Sequence, residues 1–316
     1  MKKPRVSIII PTYNRADLIV RAIESLQKQT VDDFEIFVVD DASTDNTGEV
    51  IKDLNDDRIK YIRLPENKGQ CISRNIAIKQ ANGEFIGFLD SDDEWLPEKI
   101  EKQIRVFEES DDPKLAAVYC GYIEKDEVRN KTMSFTIDRN ETKGDYYKTL
   151  LSGHCPSTPT MFLVKKSVLD EVQGFDEFLP TFVDYDLWLR IARLGYSFDS
   201  VEEPLIVKYE HAGSQIAKDL KKRKKGLELF MDKWGDEILE HAGKKTYRHI
   251  RRRKVESLID AVTNNPGENY KQDMIASLPL LLGVQSREIR LYVKLLVLLV
   301  LGRKSLGAIK KSKKPA

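Results

Sequence analysis

The chain has 316 residues, of which 41% are hydrophobic and 9% aromatic, so it can bury a sizeable core and is neither disordered nor fibrous. Its 52 basic and 51 acidic side chains give a net charge of +1, which argues against a nucleic-acid-binding protein. The charge is unevenly distributed, because residues 1–210 carry 28 basic and 40 acidic side chains, whereas residues 211–316 carry 24 and 11. An acidic body and a basic tail predict one surface for cations and polar substrates and another for an anionic partner.

The cysteine content indicates a reducing compartment. Cys71, Cys120 and Cys155 are an odd number of cysteines without metal-ligand spacing, so a disulfide framework is not expected. The apolar run VSIII at residues 6–10 is too short for the core of a secretory signal peptide. These features predict a cytoplasmic protein.

Strand-like and helix-like patterns alternate along the first 125 residues. Short apolar runs predict strands at 6–10, 35–40, 59–64, 84–90 and 116–123. Amphipathic patterns predict helices at 16–29, 46–54 and 70–81, and another helix that starts at Pro97. This alternation predicts an α/β fold in which helices flank a mostly parallel sheet, with ligands bound at the carboxyl ends of the strands.

Polar and acidic loops follow three of the predicted strands. They read PTYNR at 11–15, DDASTD at 40–45 and DSDD at 90–93. Because the carboxyl ends of parallel strands meet at one edge of a sheet, we expect the three loops to converge there.

The remainder of the chain is less regular and then becomes basic. A helix is predicted at 185–194, where Gly195 ends it, and basic helical stretches follow Gly213. The apolar run at 291–301 is shorter than the ~17–25 residues of a transmembrane helix. Its basic flanks suit a helix lying on an anionic membrane leaflet, at about 1 kcal/mol per Lys or Arg. A helix docked on the rest of the chain, or buried in a dimer, explains this run equally well.

Asp90-Ser91-Asp92 is the most specific local pattern. Two carboxylates placed two residues apart after a buried strand can share Mn²⁺ or Mg²⁺, which complete their coordination with phosphate oxygens and water. An acidic turn that starts a helix with Asp92 and Asp93 would give the same sequence.

Four further residues each have a chemical and a structural interpretation. Asp41 can accept a hydrogen bond from a nucleoside or belong to a helix cap, and Arg74 can bind a diphosphate or lie exposed on a helix. Asp184 can remove a proton from a hydroxyl or cap the helix that follows it. His211 can ligate a metal as a neutral imidazole, although a lone histidine is more often structural.

In combination, these residues resemble the family 2 glycosyltransferases, inverting enzymes that move a sugar from a nucleotide-sugar to an acceptor. The resemblance extends from residue 5 to about residue 215. It rests on seven strings in order: VSIIIPTYNR (6–15), VVDDASTDNT (38–47), NKGQCISRNIAI (67–78), FLDSDD (88–93), GFDE (174–177), DYDLWLR (184–190) and YEHAGS (209–214).

The resemblance implies a GT-A fold, which is a Rossmann-like α/β architecture. The catalytic domain would span residues 1–215, with a nucleotide-sugar-binding half at 1–125 and an acceptor half at 126–215. A basic, α-helical C-terminal region would occupy residues 216–316.

The resemblance also implies a role for each site residue. Asp184 would be the general base, and Asp92 would hold Mn²⁺ or Mg²⁺, joined in some relatives by the residue that corresponds to His211. Tyr13 would stack on the nucleotide base. The residues implied for the nucleotide-sugar pocket as a whole are Pro11, Thr12, Tyr13, Asp41, Arg74, Asp90 and Ser91.

The expected reaction is transfer from a UDP-sugar to a glycan or lipid-linked acceptor during cell-surface polysaccharide synthesis. The family usually places an acidic residue directly before the base, where this chain has Val183, so a catalytically silent nucleotide- or glycan-binding module stays open. A nucleotidyltransferase is disfavoured because no Gly-rich phosphate loop follows the first strand.

The basic tail suggests a location at the inner face of the cell membrane. Aromatic residues do not interleave with its charges, so nucleic acid is not an expected partner. The sequence carries no signal for an oligomeric state.

Overall fold

The structure is a computed structural model that describes residues 3–127, 129–139, 146–156, 158–210 and 220–264. The chain forms two compact units. Unit 1 comprises Met1–Leu150, His154–Phe178 and Val183–Ala212, and unit 2 comprises Leu151–Gly153, Leu179–Phe182 and Gly213–Ala316. The division into domains after residue 215 stays a prediction.

The helices of the described residues include those predicted from periodicity. They are α1 (Ala16–Gln27), α2 (Thr47–Asp53), α3 (Gln70–Gln80), α4 (Lys99–Glu109), α5 (Tyr146–Leu151), α6 (Lys166–Glu171), α7 (Val183–Arg193) and α8 (Leu220–Asn264). A short 3₁₀ helix spans Pro159–Met161. The fourth helix starts at Lys99, two residues later than the predicted start at Pro97, because a turn follows the proline.

Within the described residues, nine strands form one sheet. They are β1 (Val6–Thr12), β2 (Phe34–Asp40), β3 (Ile59–Arg63), β4 (Phe85–Phe88), β5 (Glu94–Trp95), β6 (Leu115–Asp126), β7 (Lys131–Phe135), β8 (Leu163–Lys165) and β9 (Ser197–Glu210). Their order is β3-β2-β1-β4-β8-β6-β9-β5, and β7 pairs with β6. The predicted α/β architecture is confirmed.

The first half of the sheet is parallel, and its register aligns the loops that follow the strands. Thr12 lies opposite Asp40, and Asp40 lies opposite Arg63, so β1, β2 and β3 end at the same level. All seven residues of β2 are buried, as expected for a strand covered on both faces. The loops after β1, β2 and β4 therefore share one edge of the sheet, as predicted.

The second half of the sheet is mixed. β8 pairs antiparallel with both β4 and β6, whereas β6 and β9 run parallel and β5 pairs antiparallel with β9. The sequence did not predict β5 or β8, because runs of two and three residues are too short to show a period of two.

Aromatic packing fixes α7 against this second half. The rings of Phe162 and Trp188 stack with centroids 3.9 Å apart, and Trp188 meets Phe198 edge to face at 6.2 Å. The hydroxyl of Tyr185 donates to the carbonyl of Leu150. Because large buried aromatic side chains dominate core energetics, the first turn of α7 is held firmly at the edge of the sheet.

Unit 2 is described chiefly by α8, which is kinked at Gly243 (φ 77°, ψ 167°). Its buried side chains include Phe230 and Trp234, and Phe230 lies 5.5 Å from the ring of Phe182. Among the described helices, none has the length and apolar character needed to cross a membrane. The apolar run at 291–301 lies outside the described residues.

Candidate active site

The loop after β1 is tied to the loop after β2. Oδ1 of Asn14 accepts from the backbone N–H of Thr44 at 2.7 Å, and the N–H of Asn14 donates to Oγ of Ser43 at 2.9 Å. The N–H of Asp41 donates to the carbonyl of Thr12 at 2.8 Å. The two loops therefore form one polar rim at the ends of the parallel strands.

Asp41 fixes the turn that leads into α3. Its carboxylate accepts from the backbone N–H groups of Lys68 at 2.7 Å and Gly69 at 2.8 Å, and the side chain of Asn67 donates to its carbonyl. A carboxylate has about four acceptor positions, so Asp41 can still accept a hydrogen bond from a ligand.

Arg74 and Asp90 form an ion pair behind this rim. Arg74, on α3, is 2% exposed, and its Nη2 lies 2.7 Å from Oδ1 of Asp90. Oδ2 of Asp90 accepts from the hydroxyl of Thr158 at 3.0 Å. The Arg74 guanidinium also lies 5.1 Å from the ring centroid of Phe175. Both oxygens of Asp90 are therefore oriented by neighbours on other elements.

Asp184 lies in the first turn of α7 and faces the same arginine. Its side chain is 29% exposed, and its Oδ1 lies 3.9 Å from Nη1 of Arg74. Burial raises the pKa of Asp184 to about 6, with Arg74 acting to lower it and Asp90 acting to raise it. A carboxyl group that titrates near neutral pH is suited to accept a proton during catalysis.

The DSDD loop is held from two sides. Nη2 of Arg21, on α1, donates to the carbonyl of Asp92 at 2.9 Å, and the backbone N–H of Tyr209, on β9, donates to Oδ1 of Asp93 at 3.3 Å. The guanidinium of Arg21 lies 3.5 Å from the ring centroid of Tyr209, a cation–π contact that joins the two supports. The backbone that carries Asp92 is thus anchored to both halves of the sheet.

The carboxylates of this loop concentrate negative charge. The pKa of Asp93 is raised well above its usual range by burial and then by the charges of Asp90 and Asp92. Nη2 of Arg15 lies 3.6 Å from Oδ2 of Asp92 and offsets part of that charge.

These oxygen ligands fit Mn²⁺ or Mg²⁺, which prefer hard donors. Among the residues that the structure describes, no three His, Cys, Asp or Glu side chains form a metal-holding group.

The remaining predicted residues lie at or next to the rim, with one exception. Pro11 is half-buried, Thr12 is buried and Tyr13 is 36% exposed, which leaves its ring open to a ligand. Ser91, which stands between Asp90 and Asp92 in the sequence, is buried. His211 lies outside the described residues, so its role as a metal ligand stays a prediction.

The sequence interpretation missed four residues that shape this region: Arg15, Arg21, Thr158 and Tyr209. Arg15 and Tyr209 stand inside the strings that carry the resemblance, but a sequence string does not reveal which side chains a residue contacts. Arg21 and Thr158 stand in no recognisable pattern, and their contacts with the DSDD loop depend on separations of 71 and 68 residues.

The family profile described as "Glycosyl transferase family 2" matches residues 7–173. A protein of Methanocaldococcus jannaschii that is named an uncharacterized glycosyltransferase is 35% identical over 213 residues, which are 65% of this chain and 71% of the relative. The Escherichia coli UDP-Glc:alpha-D-GlcNAc-diphosphoundecaprenol beta-1,3-glucosyltransferase WfaP is 35% identical over 68% of this chain and 81% of its own.

Two solved structures are similar in fold. S. aureus TarS in complex with UDP-GlcNAc aligns with a TM-score of 0.62 and 21% identity, over 90% of this chain and 82% of its own. The mannosyltransferase PcManGT from Pyrobaculum calidifontis, in complex with GDP-Man and Mn²⁺, aligns with a TM-score of 0.59 and 19% identity. The alignment covers 95% of this chain and 88% of PcManGT. At these identities the likeness concerns the fold alone, and the predicted GT-A fold is confirmed.

The matched family profile covers the loops after β1, β2 and β4 and the strands β6 and β8 of the second half of the sheet. Two relatives above 30% identity are named as glycosyltransferases. The protein is therefore a transferase enzyme, and the chain belongs to the family 2 glycosyltransferases.

Proposed function

We propose that the protein transfers a sugar from a nucleoside diphosphate to an acceptor hydroxyl, with inversion at the anomeric carbon. The observation that carries this proposal is the convergence of four polar side chains on helix α3. Asp41 binds the turn into α3, and Arg74, on that helix, pairs with Asp90 at 2.7 Å and faces Asp184 at 3.9 Å. Donor-binding groups and a carboxyl base would thus stand on one rigid frame, as catalysis by positioning requires.

The nucleotide would bind along the rim formed by the loops after β1 and β2. Thr12 has a buried hydroxyl without a hydrogen-bond partner among the described residues, and Tyr13 offers an exposed ring. Asp41 keeps acceptor capacity beyond its two backbone contacts. These features suit a base that stacks on Tyr13 and donates to Asp41.

Asp184 would act as the general base. As the acceptor oxygen attacks the anomeric carbon from the face opposite the diphosphate, Asp184 removes its proton. A base must be ionised to accept that proton, so the rate should fall as the pH drops through about 6. Val183 is 4% exposed and packs in the core, so the acidic neighbour usual in the family has no counterpart here.

Asp92 would hold the divalent cation, together with His211 if the predicted metal site is complete. When bound, Mn²⁺ or Mg²⁺ neutralises the charge that develops on the departing diphosphate. Arg21 and Tyr209 serve this purpose by fixing the loop, and Arg15 adds positive charge on the side of Asp92.

The names of two similar proteins favour UDP as the nucleotide and a lipid-linked glycan as the acceptor. WfaP is named for UDP-Glc and a diphosphoundecaprenol acceptor, and the TarS structure holds UDP-GlcNAc. PcManGT holds GDP-Man, so the nucleotide has to be determined on this protein.

A lipid-linked acceptor agrees with the basic residues after residue 210, which carry 24 basic against 11 acidic side chains. We expect this region to bring the enzyme to an anionic membrane surface from the cytoplasmic side. Flotation with anionic vesicles should be lost in a chain truncated before Ala276. An unchanged partition of the truncated chain would remove the region from the proposal.

Calorimetric titration with nucleoside diphosphates tests the proposal directly. UDP should bind more tightly in the presence of Mn²⁺, whereas Asp92→Ala should lose the effect of the metal. A panel of nucleotide-sugars should then show slow, metal-dependent hydrolysis. Binding without any hydrolysis would instead favour a silent binding module, and no binding of any nucleotide would contradict the proposal.

A further inference from the structure

Arg74 is almost inaccessible to solvent although a guanidinium is charged at every physiological pH. It is 2% exposed, and two carboxylates face it. Its Nη2 lies 2.7 Å from Oδ1 of Asp90, and its Nη1 lies 3.9 Å from Oδ1 of Asp184. A buried charge of this kind persists only when it is paired, so Arg74 is committed to these two acidic groups.

The contact with Asp184 is incomplete. Among the described residues, Nη1 and Nε of Arg74 and Oδ1 of Asp184 are buried atoms without hydrogen-bond partners. A donor and an acceptor therefore face each other about 1 Å beyond the length of a charge-assisted hydrogen bond. Buried polar atoms are nearly always paired, and unpaired ones concentrate at functional sites.

We infer that Arg74 is a positioning residue that joins Asp90, on the donor side, to Asp184, and so holds the carboxylate of Asp184 ionised and in a fixed orientation. The inference rests on the proposed function only for the role of Asp184 as the base. A planar guanidinium can contact two carboxylates at once, whereas a lysine ammonium supplies a single point charge.

This role replaces the nucleotide contact expected of Arg74 from the sequence. Its Nη2 is already bound to Asp90, and the flat face of the guanidinium lies over Phe175 at 5.1 Å. The arginine therefore reaches the nucleotide only through the carboxylate of Asp90. Binding of the donor next to Asp90 and the ionisation of Asp184 would therefore be coupled through the side chain of Arg74.

Groups from two elements act on Asp184. Helix α3 supplies Arg74, and the loop after β4 supplies Asp90. Asp184 in turn acts on the thiol of Cys71, which also lies on α3. Burial raises the pKa of Cys71 to about 12, so its thiol is neutral at physiological pH and Arg74 is the cation that acts on Asp184. The acidic groups that act on Cys71 from the loop before α7 are Asp176 and Glu177.

The test compares Arg74→Gln and Arg74→Lys with a control, Arg190→Gln. Arg190, on α7, pairs with Asp186 at 2.7 Å and donates to the carbonyls of Val172 and Gly174, so it is a similar arginine with a structural role. The readouts are the pH profile of kcat/KM for hydrolysis of UDP-glucose with Mn²⁺, and calorimetric binding of UDP with Mn²⁺.

In Arg74→Gln, the acid limb of the profile should move up by about one pH unit. Below pH 6 the variant should therefore have about one tenth of the parent's kcat/KM, whereas at pH 8 the two values should be nearly equal. Binding of UDP should stay within about threefold, Arg74→Lys should lie in between, and Arg190→Gln should keep the parent profile. Loss of UDP binding with an unmoved acid limb would make Arg74 a nucleotide ligand and overturn the inference.

A second readout needs no activity and separates failure of the inference from failure of the proposed function. The Tm deficit of Arg74→Gln should grow between pH 5 and pH 8, because an ionised Asp184 has lost its cation. In an Asp184→Asn background this growth should disappear. If UDP-glucose is not hydrolysed, the proposed donor is wrong, whereas equal pH dependence in both backgrounds overturns the role of Arg74.

Discussion

Asp184 is a carboxyl group in a place that disfavours its charge. Burial raises its pKa to about 6, whereas an aspartate in an unfolded chain titrates near ~3.9. The ionised form therefore reduces the free energy of unfolding at every pH above about 6. This cost fades as the pH falls between those two values and is absent below both, where folded and unfolded chains are equally protonated.

Asp184→Asn should therefore stabilise the protein while it removes the base. At pH 8 we expect the free energy of unfolding to rise by about 1–2 kcal/mol, after allowance for the exposed part of the side chain. The gain should shrink as the pH falls from 6 toward 4, and urea unfolding at several pH values measures it.

Asp186→Asn is the matched control on the same helix. It breaks the buried pair with Arg190 and should lower stability at pH 8, in contrast to Asp184→Asn. If Asp184→Asn raised the free energy of unfolding equally at pH 4.5 and pH 8, the claim that burial disfavours the ionised form of Asp184 would be contradicted.

The sequence predicted which chemical groups the site contains, but not which side chains contact one another. The strings placed Asp92 after a strand and Asp184 at the start of a helix, as the structure has them, but left Arg74 either as a diphosphate ligand or as an exposed helix charge. The exposed-charge interpretation is wrong, because Arg74 is 2% exposed. Its partners stand 16 and 110 residues away along the chain, and no local pattern encodes such contacts.

At the scale of elements, the entry into α3 decides where Arg74 lies. Gly69, directly before the helix, has φ 90° and ψ 161°, a region that is essentially restricted to glycine. Its N–H is one of the two that bind the carboxylate of Asp41. The conformation of this glycine thus links the polar rim to the helix that carries the ion pair.

Gly69→Ala should strain this turn even though nothing lies within 4 Å of the added Cβ. We expect a loss of about 1–3 kcal/mol in the free energy of unfolding, and weaker binding of UDP because Asp41 loses a fixed partner. Urea unfolding and calorimetry measure the two effects.

Gly195→Ala is the corresponding control. Gly195 follows α7 at φ 79° and also has open space around the added Cβ, so the substitution should cost about 1 kcal/mol. It lies at the far end of α7 from Asp184, and UDP binding should be unchanged. Equal loss of UDP binding in both variants would show that the entry into α3 has no special role.

Apart from the two-residue strand β5, the elements of the first 125 residues were predictable because each apolar run is long enough to show its period. β9 was not, although it has 14 residues. Its apolar pattern is interrupted at Glu202-Glu203-Pro204, where its pairing with β6 shifts register next to Gly121. A strand that bends around a shift of this kind loses the alternation that the sequence can reveal.

At the scale of the whole molecule, the order of the seven strings sufficed to predict the family and the fold. Which residues belong to each unit was not predictable, because unit 2 includes Leu179–Phe182 from the middle of the chain. The ring of Phe182 packs with that of Phe230, a contact between distant segments.

The same scale explains how the charge is divided. Residues 1–210, which contain the predicted donor and base residues described in the structure, have a net charge of −12, and the remainder has +13. The negative charge of residues 1–210 suits the cation proposed at Asp92, and the positive charge of the remainder suits the proposed anionic surface.

The most direct measurement compares Asp184→Asn and Asp92→Ala for binding of UDP with Mn²⁺ and for turnover of a nucleotide-sugar at pH 8. Asp184→Asn should bind UDP as the parent does and lose turnover by about 10²–10⁴-fold, while Asp92→Ala should lose the binding that depends on Mn²⁺. Turnover by Asp184→Asn at the parent rate, or Mn²⁺-dependent binding that survives in Asp92→Ala, would contradict the proposed division of labour between the two carboxylates.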